Sequence, residues 1–300
     1  MVLGEYMAKL QSTPKGQYLF LILASTFLQG SSFVSTKVVM NDIPPLWAAS
    51  ARFFVAALSL LPLALTQMHK ANIHWTNLPW VKLFIIGSLQ TAGVMAFLNL
   101  GLVSTAPPTA AIIMASNPLL VIVLAWVFLG ERSSVGAILG MLFAFIGVVI
   151  CIGIPDSGGE GAGVLLVVMA STCWAFATIF NIRFRIQLSP WVVTFWQMLL
   201  GSLILAVVAA LSKTAPALPT TPYNWLMFFW LAIPASTGAM GLWFAALRLG
   251  GSVQTSGFLF LCPLFAALIS FMLYGQVPTV HEVIGGIMIG IGLIVMSRWR

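Results

Sequence analysis

The sequence predicts an all-α membrane protein in which ten transmembrane helices form two inverted five-helix repeats. Three observations support this prediction: a highly apolar composition, ten apolar stretches long enough to cross a membrane, and a weak internal repeat. Of the 300 residues, 60% are hydrophobic and 6% are charged, whereas a soluble domain carries about 25% charged residues. Because such a surface cannot face water, the composition excludes a cytosolic enzyme and, despite a net charge of +7, a nucleic-acid-binding protein.

The apolar stretches give the ten helices in order. A helix of about 20 apolar residues crosses the hydrocarbon core of a bilayer. The predicted spans 1 to 10 cover residues 18–38, 46–66, 81–101, 109–129, 135–154, 163–181, 191–211, 225–246, 253–273 and 282–297. Residues 1–17 form a polar segment without the features of a secretory signal, so we expect the first span to be retained. The short connections leave no room for a separate soluble domain.

The basic residues indicate how the chain is oriented. With a cytoplasmic N-terminus, the outside segments carry only Lys213, together with Lys37 at the end of span 1. The inside segments then carry Lys9, Lys15, Lys70, Lys82, Arg132, Arg183, Arg185, Arg248, Arg298 and Arg300. Because basic residues concentrate in cytoplasmic loops, we expect a multi-pass protein of the bacterial inner membrane with both termini in the cytoplasm.

A shift of 145 residues matches the second half of the chain to the first. The matched pairs are Pro45/Pro190, Trp80/Trp225, Gly93/Gly238, Met95/Met240, Leu102/Leu247, Pro118/Pro263, Leu119/Leu264, Gly130/Gly275, Gly140/Gly285 and Gly147/Gly292. This match assigns residues 18–154 and 163–297 to two repeats of five spans each. Because five is odd, the second repeat starts on the opposite side of the membrane and the halves are inverted. Inverted repeats suit alternating access, so the sequence predicts a transporter.

Short motifs follow one another along the first half, and the first of them has a counterpart in the second half. They are residues 28–33 (LQGSSF), matched by 173–176 (CWAF), then 51–53 (ARF), 101–106 (GLVSTA), 117–118 (NP) and 129–132 (LGER). In this pattern the chain resembles, over almost its whole length, the EamA unit of the drug/metabolite transporter superfamily. The resemblance implies export of amino acids or other small metabolites, and YddG-type amino-acid exporters look most similar. Half two departs from the pattern, because Gln197 replaces the arginine and residues 275–276 (GQ) replace Gly-Glu.

Polar residues on spans 1 and 6 mark a candidate cavity wall. They are Ser25, Gln29, Ser32 and Thr36, bordered by Phe33, on span 1, and Ser171, Trp174, Thr178 and Asn181 on span 6. Spacings of three and four residues place each set on one helical face. Polar side chains inside a bilayer face protein or a cavity. Two interpretations stay open: the wall of a substrate cavity, or hydrogen bonding between helices.

Spans 3, 4, 8 and 9 add further candidates. Pro118 and Pro263 lie at matched mid-span positions, and neither can donate to the carbonyl four residues earlier. Those carbonyls belong to Met114 and Leu259. Two interpretations stay open: each free carbonyl accepts a substrate ammonium, or each proline simply kinks its helix. The predicted substrate-binding residues are Gln29, Ser32, Phe33, Thr91, Met95, Asn99, Met114, Asn117, Trp174, Thr178, Asn181, Trp243 and Cys262, with Pro118 and Pro263 as helix kinks or gates.

Glycines in spans 5 and 10 predict close helix packing. Gly136 and Gly140 in span 5, and Gly286 and Gly290 in span 10, form GxxxG spacings. Small residues at this spacing let two helices approach closely. Two uses stay open: a packing seam within the fold, or a homodimer contact through spans 5 and 10.

Charged side chains limit the chemistry that the spans can support. No Asp or Glu lies deep in a predicted span, which argues against proton or sodium coupling through a buried carboxylate. Arg52 is the one charge well inside a span, and we expect it to snorkel toward the interface. Two alternatives stay open: a pair with a carboxylate at the outer ends of the spans, or contact with a substrate carboxylate. The remaining amides, hydroxyls, thioethers and aromatic rings suit a small neutral or zwitterionic solute.

These observations favour a carrier over an enzyme. No span contains a nucleophile–base pair or a metal-ligand cluster, and the chain has no Walker A loop. We expect no cofactor, metal or nucleic acid; the expected partners are the lipid bilayer and a small solute. The predicted function is export of amino acids by alternating access. The alternatives are a carrier of another small solute, such as a nucleotide sugar, a sugar or a drug-like compound, and a passive channel.

Overall fold

A computed structural model of the protein describes residues 14–101, 104, 113–152, 161–274 and 280–298. Within these ranges ten helices follow one another: α1 (Pro14–Val39), α2 (Pro45–Lys70), α3 (Trp80–Gly101), α4 (Ile113–Leu129), α5 (Val135–Ile152), α6 (Gly161–Arg183), α7 (Pro190–Leu211), α8 (Pro222–Gly250), α9 (252–274) and α10 (Val280–Arg298). No strand occurs in these residues. Each helix overlaps one predicted span, and the all-α prediction is confirmed for the described part of the chain.

The helices have the length and composition of membrane spans. Among the described residues, α2, α3, α6, α7 and α8 are long and apolar enough to cross a membrane. Shorter apolar helices of 10–17 residues lie in α4, α5 and α10. Large apolar side chains such as Val81, Trp126 and Val207 are exposed on the surface. Because extensive exposed apolar surface suits lipid rather than water, the chain is a multi-pass membrane protein.

Prolines and capping side chains set where several helices begin. Pro45, Pro190 and Pro222 occupy the first turn of α2, α7 and α8, where a missing N–H breaks no helical hydrogen bond. Ser189 and Thr221 precede α7 and α8, and each side chain accepts a hydrogen bond from a backbone N–H of the first turn. The local sequence therefore starts these helices just after the loops.

The two repeats, α1–α5 and α6–α10, pack mainly on each other. Helix α2 packs on α7, and α5 packs on α10. Helix α1 packs on α8 and α9, and in the same way α6 packs on α3 and α4. Exchanging the two repeats leaves this set of contacts unchanged. The helices are therefore related by a pseudo-twofold axis, and the main packing contacts join one repeat to the other.

Glycines in α5 and α10 show the direction of this axis. A Cβ atom built on Gly140 would lie 2.7 Å from the Gly292 carbonyl oxygen, and one built on Gly147 would lie 2.8 Å from the Gly285 carbonyl oxygen. Gly285 and Gly292 are the repeat counterparts of Gly140 and Gly147, so these equivalent helices run antiparallel. A twofold axis that reverses a helix lies perpendicular to it, in the membrane plane, as the inverted-repeat prediction requires.

The glycine seam differs in detail from the GxxxG prediction. The close approach uses glycines seven residues apart, Gly140/Gly147 and Gly285/Gly292, rather than glycines four apart. Seven residues make two helical turns, so both glycines of a pair face the neighbouring helix. No described atom lies within 4 Å of a Cβ built on Gly290. These close contacts belong to the interior of the fold.

Two π-helical turns interrupt α3 and α8 at equivalent positions. They cover Ser88–Gly93 and Ile233–Gly238, which differ by the same shift of 145 residues that relates the repeats. A π turn inserts an extra residue into a helix and is frequent at functional sites. Neither π turn was predicted from the sequence. The glycine match at their ends, Gly93 with Gly238, was their one visible signal.

Candidate functional site

Four residues from both repeats form the candidate site, three of them buried and one, Trp174, partly buried. Asn117 of α4 and Ser171 of α6 are fully buried, and Asn117 Nδ2 donates a 2.8 Å hydrogen bond to the Ser171 carbonyl oxygen. One turn along α6, the Trp174 ring meets the Trp243 ring of α8, with centroids 6.4 Å apart and planes at 70°. We call Asn117, Ser171, Trp174 and Trp243 the inter-repeat cluster.

Four buried polar atoms of the inter-repeat cluster lack a hydrogen-bond partner among the described residues. Within the described ranges, no residue forms a hydrogen bond with the buried atoms Asn117 Oδ1, Ser171 Oγ, Trp174 Nε1 and Trp243 Nε1. An unmade hydrogen bond on a buried group costs about 1–3 kcal/mol, so such groups indicate that water or a ligand supplies the partner. The cluster offers one carbonyl acceptor, one hydroxyl and two indole donors. This uncharged set suits a zwitterion or a polar neutral solute.

A break in α4 positions the Asn117 amide. A turn at Ser116 separates the first helical residues of α4 from the regular helix that begins at Asn117. In α9 a 3-10 turn, Phe258–Phe260, ends one residue before Leu261, the counterpart of Ser116. Because proline cannot donate to the carbonyl four residues earlier, a regular helix is weakened in the turn before each proline. The break in α4 directly precedes Asn117 and therefore sets the approach of its amide to α6.

The polar face of α1 is hydrogen-bonded to α8. Gln29 Nε2 donates to Ser25 Oγ at 3.0 Å, and Ser25 Oγ donates to the Ala239 carbonyl oxygen at 2.7 Å. Within α1, Ser32 Oγ donates to the Gln29 carbonyl oxygen at 2.7 Å. The Phe33 side chain lies outside the described residues. On this face the structure shows the hydrogen bonds that the sequence left open as an alternative to a cavity wall.

The other predicted site residues have separate positions. Thr178 Oγ1 donates to the Trp174 carbonyl oxygen at 3.0 Å within α6, and Asn99 Nδ2 donates to the Pro45 carbonyl oxygen at 3.1 Å. Asn181 Nδ2 is buried and has no hydrogen-bond partner in the described part of the chain. Of the other predicted site residues, Met95 and Met114 are partly buried and Cys262 is buried.

Two equivalent hydrogen bonds join the π turns to the opposite repeat. Arg52 Nε of α2 donates to Ser236 Oγ in the π turn of α8 at 3.0 Å. Thr91 Oγ1 in the π turn of α3 donates to Gln197 Oε1 of α7 at 2.7 Å. Arg52 corresponds to Gln197 and Ser236 to Thr91, so the same contact occurs in both halves. We call the first pair the Arg52 seam and the second pair the Gln197 seam.

The expectation that Arg52 snorkels toward the interface is wrong. Its side chain is only 8% exposed, Nη1 lies 3.5 Å from Thr36 Oγ1, and the guanidinium lies 4.6 Å from the centre of the Phe53 ring. Hydroxyls and an aromatic face inside the bundle hold the guanidinium, so it does not extend to the lipid headgroups. The contact between Arg52 and Ser236 was not predicted from the sequence, although the match of Arg52 with Gln197 was a visible signal.

A carboxylate joins two loops at the end of the bundle assigned to the outside. Asp42 Oδ2 accepts hydrogen bonds from Thr220 N at 2.7 Å, Thr220 Oγ1 at 2.9 Å and Asn224 Nδ2 at 2.7 Å. These bonds, the Thr220 backbone N–H above all, lower the pKa of Asp42. At the other end, Ser252 Oγ donates to Glu131 Oε2 at 2.8 Å. Within the described residues, no group of three or more His, Cys, Asp or Glu side chains could hold a metal ion.

Known proteins are similar to this chain in sequence and, in one solved structure, in fold. The chain is 28% identical to the uncharacterized transporter YyaM of Bacillus subtilis (strain 168), with 92% of each protein covered. It is 26% identical to an uncharacterized transporter of Archaeoglobus fulgidus, over 95% of this chain and 99% of that protein. A crystal structure of a protein with 18% identity matches with a TM-score of 0.80, over 94% of this chain and 98% of that chain. That structure has the same fold.

The family match follows the internal repeat. The model of the EamA-like transporter family matches twice, at residues 16–153 and 161–298. The two matches together cover nearly the whole sequence, one for each half of the pseudo-symmetric bundle. The chain therefore belongs to the EamA-like transporter family of the drug/metabolite transporter superfamily.

Proposed function

We propose that the protein is a secondary transporter that exports small neutral or zwitterionic metabolites, with amino acids as the substrate class, by alternating access. The inter-repeat cluster is the observation that supports this proposal most directly. Its unpartnered donors and acceptors come from α4, α6 and α8, and thus from both inverted repeats, where a substrate would contact both halves. In this proposal the protein lies in the bacterial inner membrane, with both termini in the cytoplasm.

The chemistry of the cluster suits an amino acid. Asn117 Oδ1 can accept a hydrogen bond from a substrate ammonium, and the indole N–H groups of Trp174 and Trp243 can donate to a carboxylate or hydroxyl. The two tryptophan rings also offer aromatic faces to a cation or an apolar side chain. Alternating access requires contacts between the repeats to open in turn at the two ends. The Asp42 and Glu131 hydrogen bonds described above are such contacts.

Counterflow in proteoliposomes tests this function. Vesicles containing the purified protein are loaded with an unlabelled amino acid, and the uptake of the same labelled amino acid is followed. A carrier gives saturable uptake that the internal amino acid accelerates. A passive channel gives flux that neither saturates nor responds to the internal amino acid, and that result would reject alternating access.

Two substitutions test the assignment of the site. We expect Trp174→Ala and Asn117→Ala each to lower saturable flux about tenfold or more, because each removes a directional hydrogen bond and part of the site wall. Membrane expression is measured alongside and should not fall. Trp126→Ala is the matched control, because Trp126 is a 60% exposed tryptophan of α4, and its flux should match wild type. Unchanged flux in both site variants would reject the site while leaving the fold intact.

A competition screen separates the substrate classes. Amino acids, nucleosides and sugars are each added in excess to the counterflow assay, with and without a pH gradient. Inhibition by amino acids alone supports the proposed substrate class. Stronger inhibition by nucleosides or sugars would assign the same carrier to one of those solutes instead, and nucleotide sugars and drug-like compounds are added in a second round to test the remaining alternatives.

A further inference from the structure

We propose that Arg52 binds the carboxylate of the transported solute and makes the carrier selective for small monocarboxylates, amino acids among them. The proposal rests on the transport function proposed above. Arg52 is the one charged residue that the sequence places well inside a span. Three observations support the proposal: the guanidinium has unused donors, its counterpart in the other repeat is neutral, and it lies at the end of a polar helix face.

The guanidinium is held in place without being neutralised. Its Nε donates to Ser236 Oγ at 3.0 Å and its Nη1 to Thr36 Oγ1 at 3.5 Å. Ser236 is itself fixed, because its hydroxyl donates to the Leu231 carbonyl oxygen at 2.7 Å. Both partners of Arg52 are uncharged, and in the described part of the chain no carboxylate pairs with it. Of the five N–H donors of an arginine, three have no acceptor among the described residues.

The Gln197 seam shows that the fold does not need this charge. Gln197 occupies the position equivalent to Arg52 and bonds to the equivalent π turn through Thr91 with a neutral side chain. A charge inside the bilayer is costly, and charges kept there are functional by default. An unpaired buried cation also does not stabilise a fold. The positive charge of Arg52 is therefore explained by what it binds rather than by packing.

Arg52 contacts the end of the polar face of α1, which the proposal assigns as the path of the solute. Its partner Thr36 shares one face of α1 with Gln29 and Ser32, since the spacings are three and four residues. A carboxylate is the planar acceptor that matches two N–H groups of a guanidinium. A neutral sugar has no group that needs a cation, and a multiply phosphorylated solute requires several cations. A solute with one carboxylate is the class that fits a single arginine.

Paired ligands in the counterflow assay test this inference. The transported amino acid and its carboxamide, which lacks only the negative charge, compete against the labelled amino acid. For the wild type we expect the acid to inhibit at a concentration about tenfold or more below that of the amide, because a charge-assisted hydrogen bond is lost with the carboxylate. In Arg52→Gln, which copies the residue of the Gln197 seam, the ratio of the two inhibition constants should fall to near one. Arg52→Lys should give an intermediate ratio.

Two results would overturn the inference: equal inhibition by acid and amide in the wild type, or an unchanged preference in Arg52→Gln. If Arg52→Gln fails to fold, equal inhibition in the wild type still overturns the inference, and the reduced ratio in Arg52→Lys still ties the preference to this residue. Failure of the proposed function looks different, because no amino acid would then show saturable counterflow. In that case the purified protein is heated with small monocarboxylates and with their amides. Protection by the acids alone, lost in Arg52→Gln, would still support the inference, and equal protection would overturn it.

Discussion

The Arg52 seam and the Gln197 seam occupy equivalent positions in the pseudo-symmetric fold, but they differ in side-chain charge and in how closely the helix backbones approach. In the Gln197 seam, glycines let α3 and α7 come into backbone contact. A Cβ built on Gly201 would overlap the Thr91 side chain and lie 2.8 Å from the Gly87 carbonyl oxygen. This half of the pair is closed so tightly that only the smallest residue fits, and its polar contact involves two uncharged side chains.

The Arg52 seam is built with larger residues at the same positions. Ala232 and Ala56 replace the two glycines, and both are fully buried. The charged side chain thus occurs in the seam where the helices meet through methyl groups. The neutral side chain occurs in the seam where the backbones touch. A side-chain hydrogen bond occurs at the same place in both copies, with donor and acceptor exchanged. Both copies keep an unused donor, since Gln197 Nε2 is buried without a partner among the described residues, but only Arg52 adds the positive charge that an anionic ligand requires.

Moving the charge to the closed copy should produce the largest effect. We expect Gln197→Arg to destabilise the protein by about 3–5 kcal/mol, because it buries an unpaired charge where no space exists. Arg52→Gln should cost far less, since it recreates the contact of the Gln197 seam. Thermal unfolding of the two purified variants in detergent, with membrane yield as a second measurement, compares them. Equal stability of Gln197→Arg and wild type would show that the two seams do not differ in closeness.

A smaller change tests the packing of the Gln197 seam without adding charge. Gly201→Ala inserts one methyl group against Thr91 and the Gly87 backbone. Overpacking of this kind costs about 1–3 kcal/mol, and thermal unfolding in detergent measures it. Gly290→Ala is the control, because no described atom lies within 4 Å of the added methyl group. If both glycine variants unfold at the same temperature as wild type, the seam tolerates side chains that its geometry should exclude.

The fold could be predicted because its main determinants are properties of the linear sequence. Apolar length gave the helices, and a repeat of five spans gave the inversion. The π turns could not be predicted in the same way, because they depend on contacts between repeats. In the turn of α8, the Ser236 hydroxyl bonds to Leu231 and the Thr237 hydroxyl lies near the Ala232 carbonyl oxygen, each five residues earlier, while Arg52 approaches from α2.

The candidate site could be predicted only in part, because residue types are visible in the sequence whereas contacts between helices are not. Asn117, Trp174 and Trp243 stood out as polar or large residues inside apolar spans. In the structure Asn117 bonds to Ser171, one turn before Trp174 on α6, and the Trp174 ring meets the Trp243 ring. Gln29 and Ser32 belong to the same kind of pattern, yet they bond within α1. A helical face shows which side chains share a direction, but not whether a backbone carbonyl already accepts their hydrogen bonds.

Like the two seams, the two ends of the bundle differ in charge at equivalent positions. The difference predicts that pH changes stability through the outer end only. Asp42 joins the outer loops with three hydrogen bonds, whereas the equivalent residue at the other end is the uncharged Gln187. Because these bonds lower the pKa of Asp42 in the folded protein, their stabilising effect is present above the pKa of the unfolded chain. It is lost as the pH falls through the folded pKa.

We therefore expect the smallest of these effects from Asp42→Asn, measured as thermal stability between neutral and acidic pH. At neutral pH the variant should unfold at a lower temperature than wild type, because an amide oxygen is a weaker acceptor than a carboxylate. As the pH falls, wild type should approach the variant, since a protonated Asp42 is also uncharged. Gln187→Ala is the control at the opposite end, and its difference from wild type should not change with pH. A constant gap between wild type and Asp42→Asn at every pH would show that the carboxylate charge does not hold the outer loops together.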